Sequence, residues 1–537
     1  MALYENSLVK GFLETRGRDF VNGEGEKIVL RGVGLGNWLL PEGYMWRFEG
    51  SRADRPRRIE AVIAEMTGAE YADQFWERFY DEYITEYDIK AIAGEGFNSV
   101  RLPINWRRVM KEGPGIHFIE EGFRRIDRCL DLCEKYRLYA FLDLHGAPGG
   151  QTGQNIDDSI DNMPRLFMDQ DSYDKGVALW IEIAKRYKDR TIVGGYDLLN
   201  EPVRTPKDMG NVDHFTGSLS KFYTDCIREI RKIDKKHLFS LEGHHWATRL
   251  EIFDHRYDEN MCIHFHYYWN PPELSLLAGY IDAGKRLNVP LWVGESGENT
   301  VEWFTAMFFM LDQQDISWNF WTWKKLDTVN SPYSINKPEN YHLILDYINR
   351  GQHPGFEAAQ KIFDEYLRNM KTENCVYNGL VTKQILRERT CHVPALAYDT
   401  MPGAGKSFSG VFAGENDTSY RKGDHMRFIP KSRKDGETRE DNPWQSYNLL
   451  LTAGEWADYT VRNSGGGAFT VSALLAPCAC NSVIEIFVNG MSAGIVPVRD
   501  GTGYYRQKCR EAVSGSLATI RIKPVSGSVI VDTVYFE

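Results

Sequence analysis

The sequence predicts an α/β fold, a (β/α)8 TIM barrel followed by an all-β jelly-roll sandwich, from three observations. From about Phe20 to Met370, eight short apolar runs alternate with amphipathic stretches of helical period. Such alternation, repeated over roughly 350 residues, is typical of a (β/α)8 barrel with insertions. Beyond Lys371, short alternating strands separated by glycine turns replace the helical period. The chain of 537 residues is also too long for one ordinary domain.

The eight apolar runs are the predicted barrel strands, because a parallel strand buried on both faces is a short and almost continuous apolar run. In order, they are Ile28–Leu35, Ser99–Pro103, Ala140–Leu144, Gly195–Leu199, Leu238–Glu242, Cys262–His266, Leu291–Gly294 and Ile316–Trp321. The amphipathic stretches between them predict helices, among them Glu121–Lys135, Tyr173–Tyr187 and His214–Asp234. Ala358–Met370 is predicted to form a closing helix.

The C-terminal part is predicted to be a β-sandwich of about 140 residues. Its clearest strands are Trp456–Val461, Ala468–Ser472, Val483–Val488 and Ala518–Ile522. Turn residues occur between the strands, as in Asn489-Gly490. We therefore expect a barrel domain over residues 1–370, a linker over 371–394 and a sandwich over 395–537.

Composition excludes several classes of partner. Hydrophobic content of 42%, charged content of 26% and a formal net charge of −11 are those of a globular protein without an anionic partner. We expect no nucleic-acid partner and no membrane partner. No basic segment precedes an apolar run at the N-terminus, so we expect a cytoplasmic protein, or a secreted one whose leader was removed. The nine cysteines form no CxxC pair, and no metal or other cofactor is expected.

Two predicted strands end in a glutamate. Leu198-Leu199-Asn200 leads into Glu201, and Trp292-Val293-Gly294 leads into Glu295. Residues at the carboxyl ends of barrel strands meet in one pocket, and two carboxylates in one pocket are what glycosidic bond cleavage requires. The other strand ends contribute further polar or aromatic side chains to the same pocket: Arg101, His145, Asn200, His266, Tyr268 and Trp321.

The neighbours of the two glutamates suggest different roles for them. Glu295, beside Arg101 and a tyrosine hydroxyl, would be held ionised and would suit a nucleophile. Glu201, with His266 as a neighbour, would keep its proton and serve as acid and then base. Asn200 is placed to bond the sugar 2-hydroxyl, and Trp321 to form the floor under the reacting ring.

Other carboxylates compete for these roles. Glu298 lies beyond the end of its strand, so Glu295 is the preferred nucleophile. Asp143, Asp197 and Glu242 lie inside apolar runs, where a charge must be paired. They are therefore expected to be partners in the barrel interior.

Taken as a set, these residues resemble glycoside hydrolase family 5 over about residues 20–370. The family's second-strand arginine matches Arg101 in Gly96–Pro103, and its third-strand histidine matches His145. The other matching positions are Asn200-Glu201-Pro202, His266-Tyr267-Tyr268, Gly294-Glu295 and Trp321. The resemblance implies a retaining hydrolase, with Glu201 as the acid/base and Glu295 as the nucleophile, acting on a β-linked oligo- or polysaccharide.

Two stretches resemble the exo-β-1,3-glucanase branch of that family, Leu30–Leu39 and Asp143–Asn155. Asn37 stands where the branch usually has glycine, and Glu42 matches its sugar-binding glutamate. The long loop from Gly146 to Arg165 is expected to wall off one end of the cleft, which favours exo action. An endo-acting glycanase for glucan, mannan or galactan remains the alternative.

The C-terminal part resembles a family 6 carbohydrate-binding module, through Gly454–Val461, Thr502–Tyr505 and Val531–Phe536. The resemblance implies a cleft flanked by two aromatic residues, for which Tyr420 and Tyr504 are the best candidates. The family's calcium-holding Glu-Ala-Glu is not recognisable. Modules of this family can also dock on their barrels, so the sandwich is expected either to anchor polymer or to shape the active cleft.

Three other functions are weighed against this interpretation. A metal-dependent hydrolase is suggested by His264 and His266, although such enzymes usually carry this pair on their first strand. A sugar-binding scaffold without activity would not need both glutamates. A dinucleotide site is suggested by Gly32-Val-Gly34-Leu-Gly36, but no helix follows it.

Overall fold

The computed structural model describes residues 5–204, 214–400, 407–431, 442–477, 481–499, 503–513 and 515–537. Near the N-terminus, β1 (Glu14–Arg16), β2 (Asp19–Val21) and β3 (Lys27–Ile28) form a small antiparallel sheet. Eight parallel strands then close into a barrel in which the last strand pairs with the first. They are β4 (Arg31–Gly34), β5 (Ser99–Asn105), β6 (Tyr139–Gly146), β7 (Val193–Asp197), β8 (Leu238–Glu242), β9 (Met261–His266), β10 (Leu291–Gly297) and β11 (Ser317–Trp321).

The predicted barrel is confirmed, with all eight strands at the predicted places. The first strand is shorter than predicted, because Ile28 pairs with Phe20 in the N-terminal sheet and the barrel strand begins only at Arg31. Every residue of the eight strands is buried. Burial on both faces explains why the strands read as apolar runs in the sequence.

Helices surround the barrel and cover the outer face of its strands. They are Pro56–Thr67, Ala69–Glu82, Glu86–Glu95, Trp106–Val109, Glu120–Tyr136, Gln170–Tyr187, Phe215–Ile230, Ala278–Leu287, Val301–Gln313, His342–Arg350 and Phe356–Asn369. The helix Glu120–Tyr136 shows why they form. It buries Phe123, Ile126 and Leu130 at helical spacing, and burial of each such side chain contributes about 1.5–3 kcal/mol. None of the described helices is both long and apolar enough to span a membrane.

The remaining strands begin with β12 (Lys324–Leu326), β13 (Tyr333–Ile335) and β14 (Val376–Tyr377), which form a three-stranded sheet beside the barrel. The sandwich follows, as two antiparallel sheets whose buried and exposed positions alternate. Its six-stranded sheet contains β15 (His392–Pro394), β17 (Arg427–Pro430), β18 (Tyr447–Thr452), β20 (Phe469–Pro477), β23 (Tyr505–Val513) and β25 (Ser528–Phe536). Its five-stranded sheet contains β16 (Phe408–Ser409), β19 (Trp456–Arg462), β21 (Val483–Val488), β22 (Met491–Pro497) and β24 (Leu517–Ser526).

The segment 371–394, expected to be a linker, contains short elements of secondary structure. It contains β14, the helix Gly379–Ile385, and β15, which pairs with β25 of the sandwich. The helix buries Val381 and Ile385, so the segment is held by packing on both of its neighbours. A linker was predicted because the long stretches of helical period end near residue 371. Short packed elements end such stretches in the same way. A further short helix, Pro443–Ser446, lies within the sandwich region.

Candidate active site

A cavity of about 360 Å³ opens at the carboxyl ends of the barrel strands. Seven of the residues predicted from the sequence line it: Glu42, His145, Glu201, His266, Tyr268, Glu295 and Trp321. Arg101 and Asn200 do not line the cavity but are buried beneath it, where they contact the lining side chains. The structure therefore brings all the predicted barrel residues together.

Glu295 is held by two donors. The Arg101 guanidinium donates to Oε1, and the Tyr268 hydroxyl donates to Oε2 over 3.0 Å. The register of the parallel strands places Glu295 of β10 beside His266 of β9. A carboxylate that accepts hydrogen bonds on both oxygens is held in one orientation.

Glu201 lies four residues after the end of β7 and has a left-handed backbone conformation, with φ of 42°. A non-glycine residue in this region is strained, and such strain often accompanies functional positions. Its amide N–H donates to Glu242 Oε2 over 2.6 Å, which fixes the unusual turn. His266 Nδ1 lies 2.6 Å from Glu201 Oε1, as the sequence predicted for this pair.

The two glutamates are close to each other. A carboxylate oxygen of Glu201, a carboxylate oxygen of Glu295 and a ring nitrogen of His266 all lie within 4.8 Å of one another. Carboxyl groups about 5–5.5 Å apart serve double displacement, whereas about 6.5–9.5 Å is needed to admit a water between them. The spacing in this cavity belongs to the first of these two classes.

Arg101 is the central cation of the barrel interior and is fully buried. Besides Glu295, it contacts Asp197 at 2.7 Å and Asp143 and Glu242 at 3.1 Å each. Burial alone would lower the pKa of Arg101, but these carboxylates outweigh burial and raise it. Asp143, Asp197 and Glu242 are therefore the interior partners that the sequence predicted.

Replacing Arg101 with methionine is expected to destabilise the barrel by about 3–5 kcal/mol, because four buried carboxylates lose their shared cation. The measurement is the midpoint of urea unfolding, with Arg31→Met as the matched control. Arg31 is also largely buried, and it pairs with Asp312 at 2.8 Å. An Arg101 variant no less stable than the Arg31 variant would contradict this interpretation.

His266 and His264 form a chain of hydrogen bonds. His266 Nε2 lies 3.2 Å from His264 Nε2, and His264 Nδ1 lies 3.0 Å from Asp197 Oδ1. Burial would lower the pKa of His266, but Glu242, Glu295 and Glu201 raise it well above the ordinary value. Burial lowers the pKa of His264. We therefore assign a charged His266 that donates to a neutral His264, which donates in turn to Asp197.

His145 is neutral in this environment. Its Nδ1 lies 2.7 Å from Asp143, its Nε2 accepts from the Asn200 amide over 3.2 Å, and its ring stacks on Trp321 at 5.4 Å. Burial lowers the pKa of His145 to about 3, with Arg101 adding to the effect and Glu295 opposing it. The Nδ1–H therefore donates to Asp143, which leaves Nε2 free to orient Asn200.

Replacing His145 with glutamine is expected to make folding less sensitive to acid. Its pKa is about 3 in the folded protein and 6.5 in the free side chain, so between these values only the unfolded chain binds this proton. Stability that is present above pH 6.5 is lost as the pH falls towards 3, by at most about 1.4 kcal/mol per pH unit.

The measurement is the free energy of unfolding in urea between pH 7 and pH 4.5, for the native chain and the His145→Gln variant. The variant should lose stability less steeply. His255→Gln is the control, since His255 is exposed and its replacement should leave the slope unchanged. A slope in the His145 variant as steep as in the native chain would mean that the folded protein already binds this proton.

Trp321 forms the cavity floor, and glycines make room for it. A Cβ added at Gly34 would overlap the Trp321 ring, and one at Gly36 would lie 2.8 Å from it. The Trp321 indole N–H donates to the Tyr44 hydroxyl over 2.8 Å. The glycine run that suggested a dinucleotide site thus serves the packing of Trp321, with Gly32 and Gly34 inside strand β4.

Glu42 and Glu298 bring further carboxyl groups to the cavity. Burial, together with the charges of Glu295 and Glu201, raises the pKa of Glu42 well above its usual range. Its Oε1 has no hydrogen-bond partner among the described residues, so a protonated Glu42 is available to a ligand. Glu298 is bound by the Lys325 ammonium at 2.6 Å, which separates it in role from Glu295.

The sequence interpretation missed several lining residues in loops: Tyr44, Asn155, Ile156, Trp246, Thr248, Trp269 and Asn270. Trp246 and Trp269 both have φ of 60°, and Trp269 is 71% exposed at the cavity mouth. Both follow barrel strands closely in the sequence, after β8 and β9. This position after a strand was the signal that could have identified them.

The aromatic pair expected in the sandwich is not a pair of exposed rings. Tyr420 is only 2% exposed, and its hydroxyl faces the Pro272 carbonyl of the barrel at 3.5 Å. Tyr504 is about half exposed and bonds Asn448. Tyr420 therefore cannot flank an open sugar cleft, because the docked barrel covers it. Thr502 of the same predicted turn lies outside the described residues.

Two groups of side chains at the cavity or just beneath it have potential metal-ligand atoms within 4.8 Å of one another: Glu242 with His264 and His266, and Glu201 with His266 and Glu295. Both groups include His266, whose two ring nitrogens already face Glu201 and His264. A cation there would displace the hydrogen bonds that orient the two glutamates.

Known proteins resemble this chain over the barrel. Residues 60–327 match the family model described as cellulase, glycosyl hydrolase family 5. A β-xylosidase of Phanerodontia chrysosporium is 31% identical over 242 residues, covering 45% of this chain and 48% of the relative. Endoglucanase C of Acetivibrio thermocellus is 32% identical over 199 residues, covering 37% and 53%. A probable glucan 1,3-β-glucosidase A of Aspergillus clavatus is 28% identical over 218 residues, covering 40% and 50%. The chain spans about half the length of these relatives.

Proposed function

Because residues 60–327 match the family model described as cellulase, glycosyl hydrolase family 5, we propose that this chain is a retaining β-glycosidase. Its proposed substrate is a β-linked glucan or related oligo- or polysaccharide, which it cleaves from the chain end. The observation that carries the proposal is the placement of Glu201, Glu295 and His266 with ligand atoms within 4.8 Å of one another. That distance suits direct attack by one carboxylate while the other delivers a proton.

In the first step, Glu295 attacks the anomeric carbon and the bond to the leaving oxygen breaks. Arg101 and Tyr268 hold Glu295 in place for this attack. Glu201 gives its proton to the leaving oxygen, and the sugar remains as an ester on Glu295. His266, 2.6 Å from Glu201, is placed to share and resupply that proton.

In the second step, Glu201 accepts a proton from water, and the water oxygen attacks the anomeric carbon. The ester bond breaks, which frees Glu295 as a carboxylate and leaves Glu201 protonated again. Two inversions at one carbon give net retention. Asn200, held by Arg101 at 2.8 Å, is oriented by the same network towards the sugar 2-hydroxyl.

The loop Gly146–Arg165 supports exo action. Its residues Asn155 and Ile156 line the cavity. Inside the loop, Asp157 accepts hydrogen bonds from the amides of Thr152 and Gly153 at 2.8 and 2.7 Å. These hydrogen bonds hold the loop in a defined conformation, in which it forms a wall of the cavity. A wall of this kind would stop a polymer from extending past the reacting sugar. The endoglucanase among the relatives keeps endo action as the alternative.

The test is sugar release from β-glucans, mannans, xylans, galactans and 4-nitrophenyl β-glycosides, with Glu295→Gln beside the native chain. We expect one class to be cleaved with retention at the anomeric carbon and with single sugars or short products from the chain end. A spread of internal fragments would favour endo action. Loss of activity with a chelator would favour the metal-dependent alternative, and no activity on any class would favour a sugar-binding scaffold.

In this proposal, the sandwich and the barrel together form the catalytic unit. Sugar binding by the sandwich itself stays a prediction, now centred on Tyr504 alone, because Tyr420 is covered. Retention of the native chain on insoluble β-glucan, compared with a Tyr504→Ala variant, would test it. Equal retention would remove Tyr504 from the binding surface.

A further inference from the structure

The segment Tyr267–Glu273, which follows β9, carries a partner of the proposed nucleophile. Tyr268 donates to Glu295, and the amide of Tyr267 donates to the Glu295 carbonyl over 3.1 Å. Beyond these two residues, the Tyr267 hydroxyl donates to the Pro271 carbonyl over 2.9 Å, and the Trp303 indole N–H donates to the Asn270 carbonyl over 2.8 Å. Among the described strand pairs, none includes residues 267–273, so this segment is held by loop contacts.

The sandwich supplies contacts at the far end of this segment. The Tyr420 hydroxyl faces the Pro272 carbonyl at 3.5 Å, and the amide of Arg421 donates to the Glu273 carboxylate over 3.3 Å. The Tyr420 ring packs edge-on against Trp444 of the sandwich at 6.0 Å. Tyr420 is thus held from the sandwich side and covers the segment from outside.

The turn that carries Tyr420 and Arg421 is fixed by the contacts of the Arg421 side chain. Arg421 has φ of 51°, and its guanidinium is buried inside the sandwich. The guanidinium donates to the Tyr398 carbonyl and to Asp424, both over 2.6 Å, and stacks on the Tyr398 ring at 3.4 Å. The Arg421 side chain makes its contacts within the sandwich. The Tyr420 side chain and the Arg421 amide are therefore the groups that face the barrel segment.

We propose that Tyr420 and Arg421 are positioning residues for catalysis, which hold the Tyr267–Glu273 segment and through it the hydroxyl of Tyr268 against Glu295. The inference rests on the proposed function and deepens it, since it makes the sandwich a component of the active site. Displacing a catalytic contact by about 1 Å can cost roughly 100-fold in rate. A sandwich that only stabilised the barrel would leave the rate per folded molecule unchanged.

A second contact between the domains gives a matched control. Arg462 of β19 binds Asp312 at 2.8 Å, near the last turn of the helix Val301–Gln313. That end of the helix leads into the start of β11 and lies at the opposite end of the barrel from the cavity. Arg462→Met therefore weakens docking without touching the Tyr267–Glu273 segment.

The experiment measures kcat and KM in the full chain, on the 4-nitrophenyl β-glycoside that the native protein cleaves fastest. We expect Tyr420→Ala to lower kcat/KM by roughly 10- to 100-fold, mainly through kcat. Tyr420→Phe, which loses the hydroxyl facing Pro272 but keeps the ring against Trp444, should cost less than Tyr420→Ala. Arg462→Met should stay within about threefold of the native value. In a Tyr268→Phe background, Tyr420→Ala should cost no more than about threefold, because it acts through Tyr268.

Hydrogen exchange of the amides of residues 267–270 and 273 is measured on the same variants and needs no substrate. Tyr420→Ala should speed their exchange, and Arg462→Met should not. Equal exchange in both variants, or full additivity of Tyr420→Ala with Tyr268→Phe, would overturn the inference. A native chain that cleaves no glycoside would refute the proposed function, and the exchange result would then decide separately whether the sandwich holds this segment.

Discussion

Replacing Glu295 with glutamine is expected to lower kcat/KM for glycoside cleavage by roughly 10⁴-fold or more, the scale seen when a nucleophile is removed from a concerted set of catalytic groups. An amide cannot attack the anomeric carbon, although it has nearly the same shape as the carboxylate. The donors Arg101 and Tyr268 would remain in place. The loss should therefore be in kcat, while the fold is retained.

The measurement uses the most reactive 4-nitrophenyl β-glycoside that the native chain cleaves. Glu298→Gln is the matched control, because Glu298 lines the same cavity but is paired with Lys325. The loss of kcat/KM in Glu298→Gln should be smaller than that in Glu295→Gln by a factor of at least about 100. A smaller variant, Glu295→Gly, should regain turnover with azide and give the α-glycosyl azide. Activity that survives in Glu295→Gln would remove Glu295 from the role of nucleophile.

Replacing Glu201 with glutamine is expected to produce a loss that depends on the leaving group. Oligosaccharides need protonation of a poor leaving oxygen, so their cleavage should fall by roughly 10²- to 10⁴-fold. A 2,4-dinitrophenyl glycoside needs little protonation, and its first step should be nearly unaffected. The second step also loses its base, so the sugar ester on Glu295 should accumulate.

The measurement is the pre-steady-state burst of 2,4-dinitrophenolate, with mass spectrometry of the intact chain. We expect a burst of about one equivalent and a mass increase of one sugar, followed by slow turnover. Equal losses for activated and natural substrates would contradict an acid role for Glu201. His266→Gln, which removes the group 2.6 Å from Glu201, should give a milder form of the same pattern.

Much of the site was predictable because strand ends are a local property of the sequence. Glu201 and Glu295 follow apolar runs directly, and the carboxyl ends of barrel strands meet at one face. The same rule placed Arg101, His145 and Trp321. Their separate neighbours were also predictable, since Arg101 and a tyrosine do contact Glu295, and His266 does contact Glu201.

Residues in loops escaped prediction because nothing local fixes where a loop turns. Trp246 and Trp269 reach the cavity through left-handed backbone at the residues themselves. The burial of Tyr420 depends on the docking of the sandwich against Pro272, which involves residues 148 positions apart in the chain. A pattern of apolar and polar residues shows that a side chain is near a surface, but not which other surface covers it.

The sequence by itself determined the eight barrel strands and the following sandwich, because apolar period and strand ends are encoded by neighbouring residues. It also predicted Glu201 and Glu295 as the two catalytic carboxylates. Only the tertiary structure decided that Glu201 and Glu295 lie within 4.8 Å of each other, that four carboxylates share Arg101, and that the sandwich docks beside the cavity. These features depend on distances between residues far apart in the chain. Barrel closure and side-chain packing set such distances, and no local pattern contains them.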